Sequence, residues 1–240
     1  MIKRIVSFAL HQPLFVVLGL VLIALYVSHQ PARLGDDQII NRAFLEDRLR
    51  QHIKISLVSF GLAALIGLPL GALLGKADWR LRTPVILFAN LGQALPSVAL
   101  LAFAFTYVGL GFKPTVIALV VYALLPIVRN TSVGISGVEP SVTEAARGMG
   151  LTRLQTLWSV ELPLAMPAIF AGLRTAMVLV IGTATLANFI GGGGLGDVIS
   201  AGIASGRERI VLTGAGMVAA LALMADWLMA ALQRLLEPRK

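Results

Sequence analysis

The sequence contains no cysteine, so disulfides, thiol nucleophiles and thiolate metal sites are excluded. Its three histidines, His11, His29 and His52, are scattered and give no metal-ligand spacing. Charge is scarce: 13% of residues are Asp, Glu, Lys or Arg, about half the usual share of a soluble domain. Aromatic residues are few, 3 Trp, 3 Tyr and 10 Phe, and mostly dispersed in apolar runs, which is poor material for a cage around a cationic ligand. What the chain has instead is apolar length, with 57% of its 240 residues hydrophobic. That combination describes an all-α integral membrane protein, a single transmembrane domain over residues 1–240 with no room for a separate soluble catalytic domain. The formal net charge of +8 comes from basic residues flanking apolar runs, so it speaks of membrane orientation and not of nucleic acid.

Six stretches, residues 5–27, 53–74, 84–108, 115–138, 166–190 and 211–232, approach the roughly 20 apolar residues needed to cross a bilayer core. The fourth loses its strictly apolar character near Val128, where Arg129, Asn130 and Thr131 follow, so its helix is expected to continue into water or against the bundle. Pro96 and Pro126 are expected to interrupt apolar helices, which is tolerated where helices line a cavity or are covered by neighbours. Lys3 and Arg4 before the first run resemble a secretion signal, but no small-x-small pattern follows Tyr26-Val27-Ser28-His29; an uncleaved first span is expected. Residues 36–51 place Leu45, Leu49 and then Ile53 at four-residue steps, which reads as an external amphipathic helix or as an ordered loop.

Basic residues set the expected orientation. With the N-terminus in the cytoplasm, the inner segments hold Lys3, Arg4, Lys76, Arg80, Arg82, Arg129, Arg147, Arg153, Arg234, Arg239 and Lys240. The outer segments hold Arg33, Arg42, Arg48, Arg50, Lys54, Lys113, Arg207 and Arg209, diluted by Asp36, Asp37, Glu46, Asp47, Asp197 and Glu208. The excess of positive residues inside favours cytoplasmic N- and C-termini and a multi-pass protein.

Between the fourth and fifth spans lies a polar island, EAARGMGLTRLQTLWSVELP over residues 144–163, within a loop of residues 139–165. Pro140 and a cap from Ser141 or Thr143 start a first helix, and Gly150 is its left-handed exit. Thr152 and Gln155 make a capping box that restarts the chain, and Pro163 is expected to end the second piece. Val142, Ala145, Ala146 and Met149 form one face of small and apolar residues, leaving Glu139, Glu144 and Arg147 polar. So much helix-making chemistry in a connection predicts a docking surface for another protein.

Glu144-Ala145-Ala146, then Gly150, then Val160-x-Leu162-Pro163 resembles the EAA loop of bacterial ABC-importer permeases, with Val160 where that loop has Ile. The runs GQALPSVALLAF, GFKPTVIALVVYALLPIVRNT and FIGGGGLGDVISAGI are similar to permeases that import osmoprotectants such as glycine betaine, choline and carnitine; methionine-type permeases carry related glycine-rich text. The resemblance implies a type I importer fold (MetI-like) with a permease core near residues 50–232, in a bacterial cytoplasmic (inner) membrane. It also implies two cytoplasmic ABC ATPase subunits, a second permease chain, the same or related, and an external substrate-binding protein. ATP and Mg would then sit on the ATPase, with no cofactor on this chain. Glu144, Ala145, Ala146, Gly150, Val160, Leu162 and Pro163 would form the coupling surface.

Charges deep in the apolar runs are Arg174 and Asp226. They lie about 12 Å into the fifth span and about 9 Å from the end of the sixth, so antiparallel helices would bring them level. They are expected to face the bundle interior and pair, as a structural ion pair or a gate latch. Gln93, Thr183, Thr185 and Asn188 are polar positions in apolar helices, either pore-lining or helix–helix hydrogen bonds. Gly191, Gly193, Gly194, Gly196 and Asp197 read as a flexible external turn. The same glycines match G-x-G-x-x-G, but a membrane span and not a strand precedes them. Gly194-Leu195-Gly196-Asp197 matches the G-x-G-D of intramembrane aspartyl proteases, yet the second membrane acid, Asp226, is expected near the opposite face. Gly71-x-x-x-Gly75-Lys76 is one residue short of a P-loop. An ion-coupled carrier is the reading from another class; it would show internal repeats or mid-span acids, and neither is evident.

Overall fold

The computed structural model describes residues 41–236, and for residues 88–94 the backbone alone. Regular structure among them is entirely helical. Helix α1 spans Arg42–Lys76, its start capped by Asn41, whose side chain accepts the Phe44 N–H at 2.8 Å. Residues 42–51, expected as a separate surface helix or a loop, are its first turns: no breaker separates Arg42 from Ile53, and the pairs Arg42–Glu46 and Asp47–Gln51 tie successive turns. The first expected span and residues 36–40 lie outside the described residues.

The third expected span is not one helix. It divides into α2, Trp79–Ala94, and α3, Ser97–Val108. Pro96 cannot donate into a helix and forces Leu95 out of the helical region. Pro126 behaves otherwise, contrary to expectation. It is buried inside an unbroken α4, Phe112–Ser136, where neighbouring helices hold the chain on both sides and Asn130 Nδ2 donates to the Pro126 carbonyl at 2.8 Å. The polar end of α4 runs against the bundle, with Val128, Thr131, Ser132 and Ile135 buried and Arg129 exposed.

The chain then makes α5, Pro140–Gly148, a short α6, Arg153–Thr156, a π-helical turn Leu157–Glu161, and α7, Leu162–Thr183. Pro163 does not end the second piece; the helix passes through it from Arg153 to Ile190. The π turn is the physical reason. The ring of Pro163 excludes the carbonyl one turn back, and the preceding turn widens, with Leu162 N–H bonded to the Leu157 carbonyl. A 3₁₀ segment, Ala184–Ile190, leads to an unforeseen helix α8, Leu195–Ala204, and then to α9, Glu208–Leu236. Among the described residues, Arg42–Lys76, Phe112–Ser136, Arg153–Ile190 and Glu208–Leu236 are long and apolar enough to cross a membrane.

Helix α4 sits at the centre, and glycine decides how closely its neighbours approach. Gly67, Gly71 and Gly75 face Ile127, Thr131 and Ile135, one per turn. A methyl at these glycines would fall 2.8, 2.6 and 2.8 Å from those side chains. On its other side, α4 meets α7, where Gly134 faces Ala165 and Ala168, and Gly172 faces Asn130 and the Pro126 carbonyl. Without a hydrophobic drive between helices in lipid, such close backbone contact is the main source of packing energy. Leu119, Ala123, Ile127, Ile169, Ala176 and Val180 fill the core between them.

Candidate functional site

The elbow between α4 and α7 is built from local rules. Its first helix starts at Pro140 with Glu139 as N-cap; Ser141 and Thr143 do not cap it. Their hydroxyls donate instead to the Glu139 carboxylate and the Pro140 carbonyl, as short polar side chains at a helix start readily do. At the exit Gly150 has φ +88°, the Gly150 N–H donates to the Arg147 carbonyl at 2.9 Å, and the Leu151 N–H donates to Ala146 at 3.2 Å. This is a Schellman closure. The capping box restarts the chain as expected: the Gln155 N–H donates to Thr152 Oγ1 at 3.3 Å, and the Thr152 N–H donates to Gln155 Oε1 at 2.8 Å.

Exposure divides the predicted surface. Glu144, Ala145 and Gly150 are open, while Val160, Leu162 and Pro163 are half-buried. Ala146 departs from the expectation that it shares the open face: it is 2% exposed, enclosed where the two halves of the elbow touch. A small residue is needed there for internal closeness. Met149, Leu154 and Trp158 are 74%, 64% and 65% exposed, and Leu154 and Trp158 border an apolar groove with Leu73, Lys76 and Met166. Leu154 and Trp158 were not singled out from the sequence, although Leu151, Leu154 and Trp158 at helical spacing are a legible stripe. Valine at Gly150 would have to adopt a left-handed backbone at about 2 kcal/mol. Trypsin cleavage at Arg147 and Arg153 should therefore become roughly thirtyfold faster in Gly150→Val; an unchanged rate would show that the closure does not hold the elbow shut.

Sequence reasoning also missed Glu161. It lies in the π turn, 2% exposed, and takes the ammonium of Lys76, the last residue of α1. The signal was one acid in the otherwise apolar run WSVELPL.

The far end of the bundle is held as tightly. Helix α1 presents Arg48, Gln51 and His52 to the glycine segment. Arg48 pairs with Asp197 at 2.8 Å, Gln51 Oε1 accepts the Gly194 N–H at 3.2 Å, and His52 Nδ1 accepts the Leu195 N–H at 3.3 Å. His52 is fully buried, and its Nε2 lies 3.0 Å from the Ile181 carbonyl. A backbone N–H only donates and a carbonyl only accepts, so the ring proton sits on Nε2. Gly191, Gly193 and Gly194 have φ of +70°, +76° and +91°. Gly196 lies inside α8, hard against the Thr185 carbonyl. The segment expected to be a flexible turn is thus a packed corner, because α1 supplies partners for its backbone.

Arg174 and Asp226 meet as expected. Nε and Nη2 each lie 2.7 Å from one carboxylate oxygen, and both side chains are a little over a quarter exposed. Rather than being sealed in the bundle, the pair borders an open hollow of about 450 Å³ with Ala171, Thr175 and Val178. Asp197 and Asp226 are held by different arginines, so they form no catalytic dyad. The side chain of Gln93 falls outside the described residues. Thr185 donates to the Gly182 carbonyl, and Asn188 donates to Ser200 of α8, a helix–helix hydrogen bond. Thr183 is half-buried.

The elbow joins two spans of a helical membrane protein, and the family that matches the chain makes its class that of transport subunits. Residues 67–238 match the family described as the inner membrane component of binding-protein-dependent transport systems, and the chain is a member of that family. It is 41% identical over 204 residues to the osmoprotectant import permease protein OsmW of Salmonella typhimurium, covering 83% of this chain and 94% of that one. To the choline transport system permease protein OpuBB of Bacillus subtilis it is 43% identical over 188 residues, 78% of this chain and 86% of that one. The fold is similar to a solved structure of the inward-facing MetNI methionine ABC transporter, with a TM-score of 0.73 and 23% identity over 82% of this chain and 98% of that one.

Proposed function

We propose that this chain is the membrane-spanning subunit of an ATP-driven importer of osmoprotectants, small quaternary amines such as glycine betaine, choline and carnitine. The substrate class is supported by relatives that bear those names, including the glycine betaine/carnitine/choline transport system permease protein OpuCB of Bacillus subtilis, 41% identical over 189 residues. The observation that carries the ATP-driven reading is the elbow. A rigid, capped helix pair with exposed Met149, Leu154 and Trp158 joins two packed spans, as a device for receiving motion from a separate motor requires.

In this reading two cytoplasmic ATPase subunits seat α5 in a groove, with Glu144 offered to a basic or hydrogen-bonding partner. ATP and Mg are bound on those subunits. A second permease chain, the same or related, completes the path, and an external binding protein supplies most of the selectivity, given the scarcity of aromatic residues here. The elbow and both chain ends lie in the cytoplasm. ATP closure of the motor moves α5, and the bundle exchanges between inward- and outward-facing packings.

Uptake of radiolabelled glycine betaine, choline, carnitine and methionine into vesicles holding the assembled complex tests this directly. A quaternary amine should enter only with internal ATP, and Glu144→Arg should lower that uptake at least tenfold while the motor still hydrolyses ATP. Uptake driven by an ion gradient without ATP would replace the reading with a carrier.

A further inference from the structure

Among the described residues, three helices are tied to the elbow. Helix α4 enters it and α7 leaves it through the chain itself; α1 reaches it through Lys76, which donates to the buried Glu161. The glycines of α1 lock that helix to α4 one per turn. The ion pair therefore closes a ring: α1 to α4 by backbone contact, α4 to the elbow by chain, and the elbow back to α1 by charge.

We infer that Lys76–Glu161 is a strut that delivers displacement of the elbow to α1 and α4 together as well as to α7. The position of the acid favours this role. Glu161 lies at the end of the π turn, the point where a helix is most easily rewound, and two residues before Pro163. Without a tie there, the π turn takes up part of the motion of α6 before it reaches α7. With the tie, the turn is pinned to the last residue of α1. The second carboxylate oxygen, Oε2, is buried and has no partner, so Lys76 is the group that holds this acid in place. Both residues are positioning residues; Glu161 is buried, and Lys76 borders the same apolar groove as Leu154 and Trp158.

The inference rests on the importer reading, and the experiment separates the two. In the complete complex with its ATPase and binding protein, Lys76→Met and Glu161→Gln should still co-purify with the ATPase and retain basal hydrolysis within about twofold. Glycine betaine imported per ATP should fall at least tenfold. The exchange Lys76→Glu with Glu161→Lys should recover that ratio to within about threefold. Single variants with an unchanged ratio overturn the strut. Because the chain has no cysteine, Lys76→Cys with Glu161→Cys can be bridged by a short bifunctional thiol reagent without other labelled sites on this chain. A bridge that preserves uptake supports a strut closed throughout the cycle, whereas one that halts uptake with the ATPase still bound overturns it. A parent chain that captures no ATPase removes the importer reading itself, which none of the strut variants tests.

Discussion

Alanine at Asp226 is expected to cost the folded chain about 3 kcal/mol, because it leaves the Arg174 guanidinium without a counter-charge inside two membrane-length helices. Alanine at Arg174 should cost a similar amount. The double variant should lose less than either single one, since the penalty comes mainly from the stranded charge and not from the absent contact. Thermal unfolding of detergent-solubilised protein, followed by size-exclusion chromatography, gives the comparison. Additive losses would mean that the two side chains act independently, against the two 2.7 Å contacts. If the pair served only as a latch, stability would hold in all three variants and uptake alone would change.

Gly196→Ala should be the most damaging single methyl in the described chain. The added carbon would collide with the Thr185 backbone carbonyl, and two backbones in a packed corner have no flexible end to move aside. Overpacking of this kind costs about 3 kcal/mol, and here it would also part α8 from the 3₁₀ segment that Asn188 ties to Ser200. Membrane levels of Gly196→Ala should fall sharply. Gly182→Ala is the internal control, since nothing lies within 4 Å of a methyl there, and it should be tolerated. Equal behaviour of the two would show that the corner yields more than its geometry implies.

The elbow was legible because its signals are local. Gly150 and the Thr152–Gln155 box are set by backbone chemistry within a few residues, and they stand where the sequence places them. The Arg174–Asp226 meeting was legible too, since burial in lipid leaves a lone charge few alternatives. Misreadings came where a distant element decides. Pro126 and Pro163 look like breakers from composition, but α7 covers one and a π turn absorbs the other. The glycine corner looks loose until Arg48, Gln51 and His52 arrive from a helix more than a hundred residues away. Ala146 reads as surface beside Ala145, and it is the return of the chain through α6 and the π turn that encloses it.

The three glycines that seat α1 on α4 join two long rods into a plank. Ile127, Thr131 and Ile135 sit in those notches one per turn, and a slip to a new register would drive them into larger side chains, so a pull at one end turns the whole of it. Any opening made during transport must then form along its edges and not along its own seam.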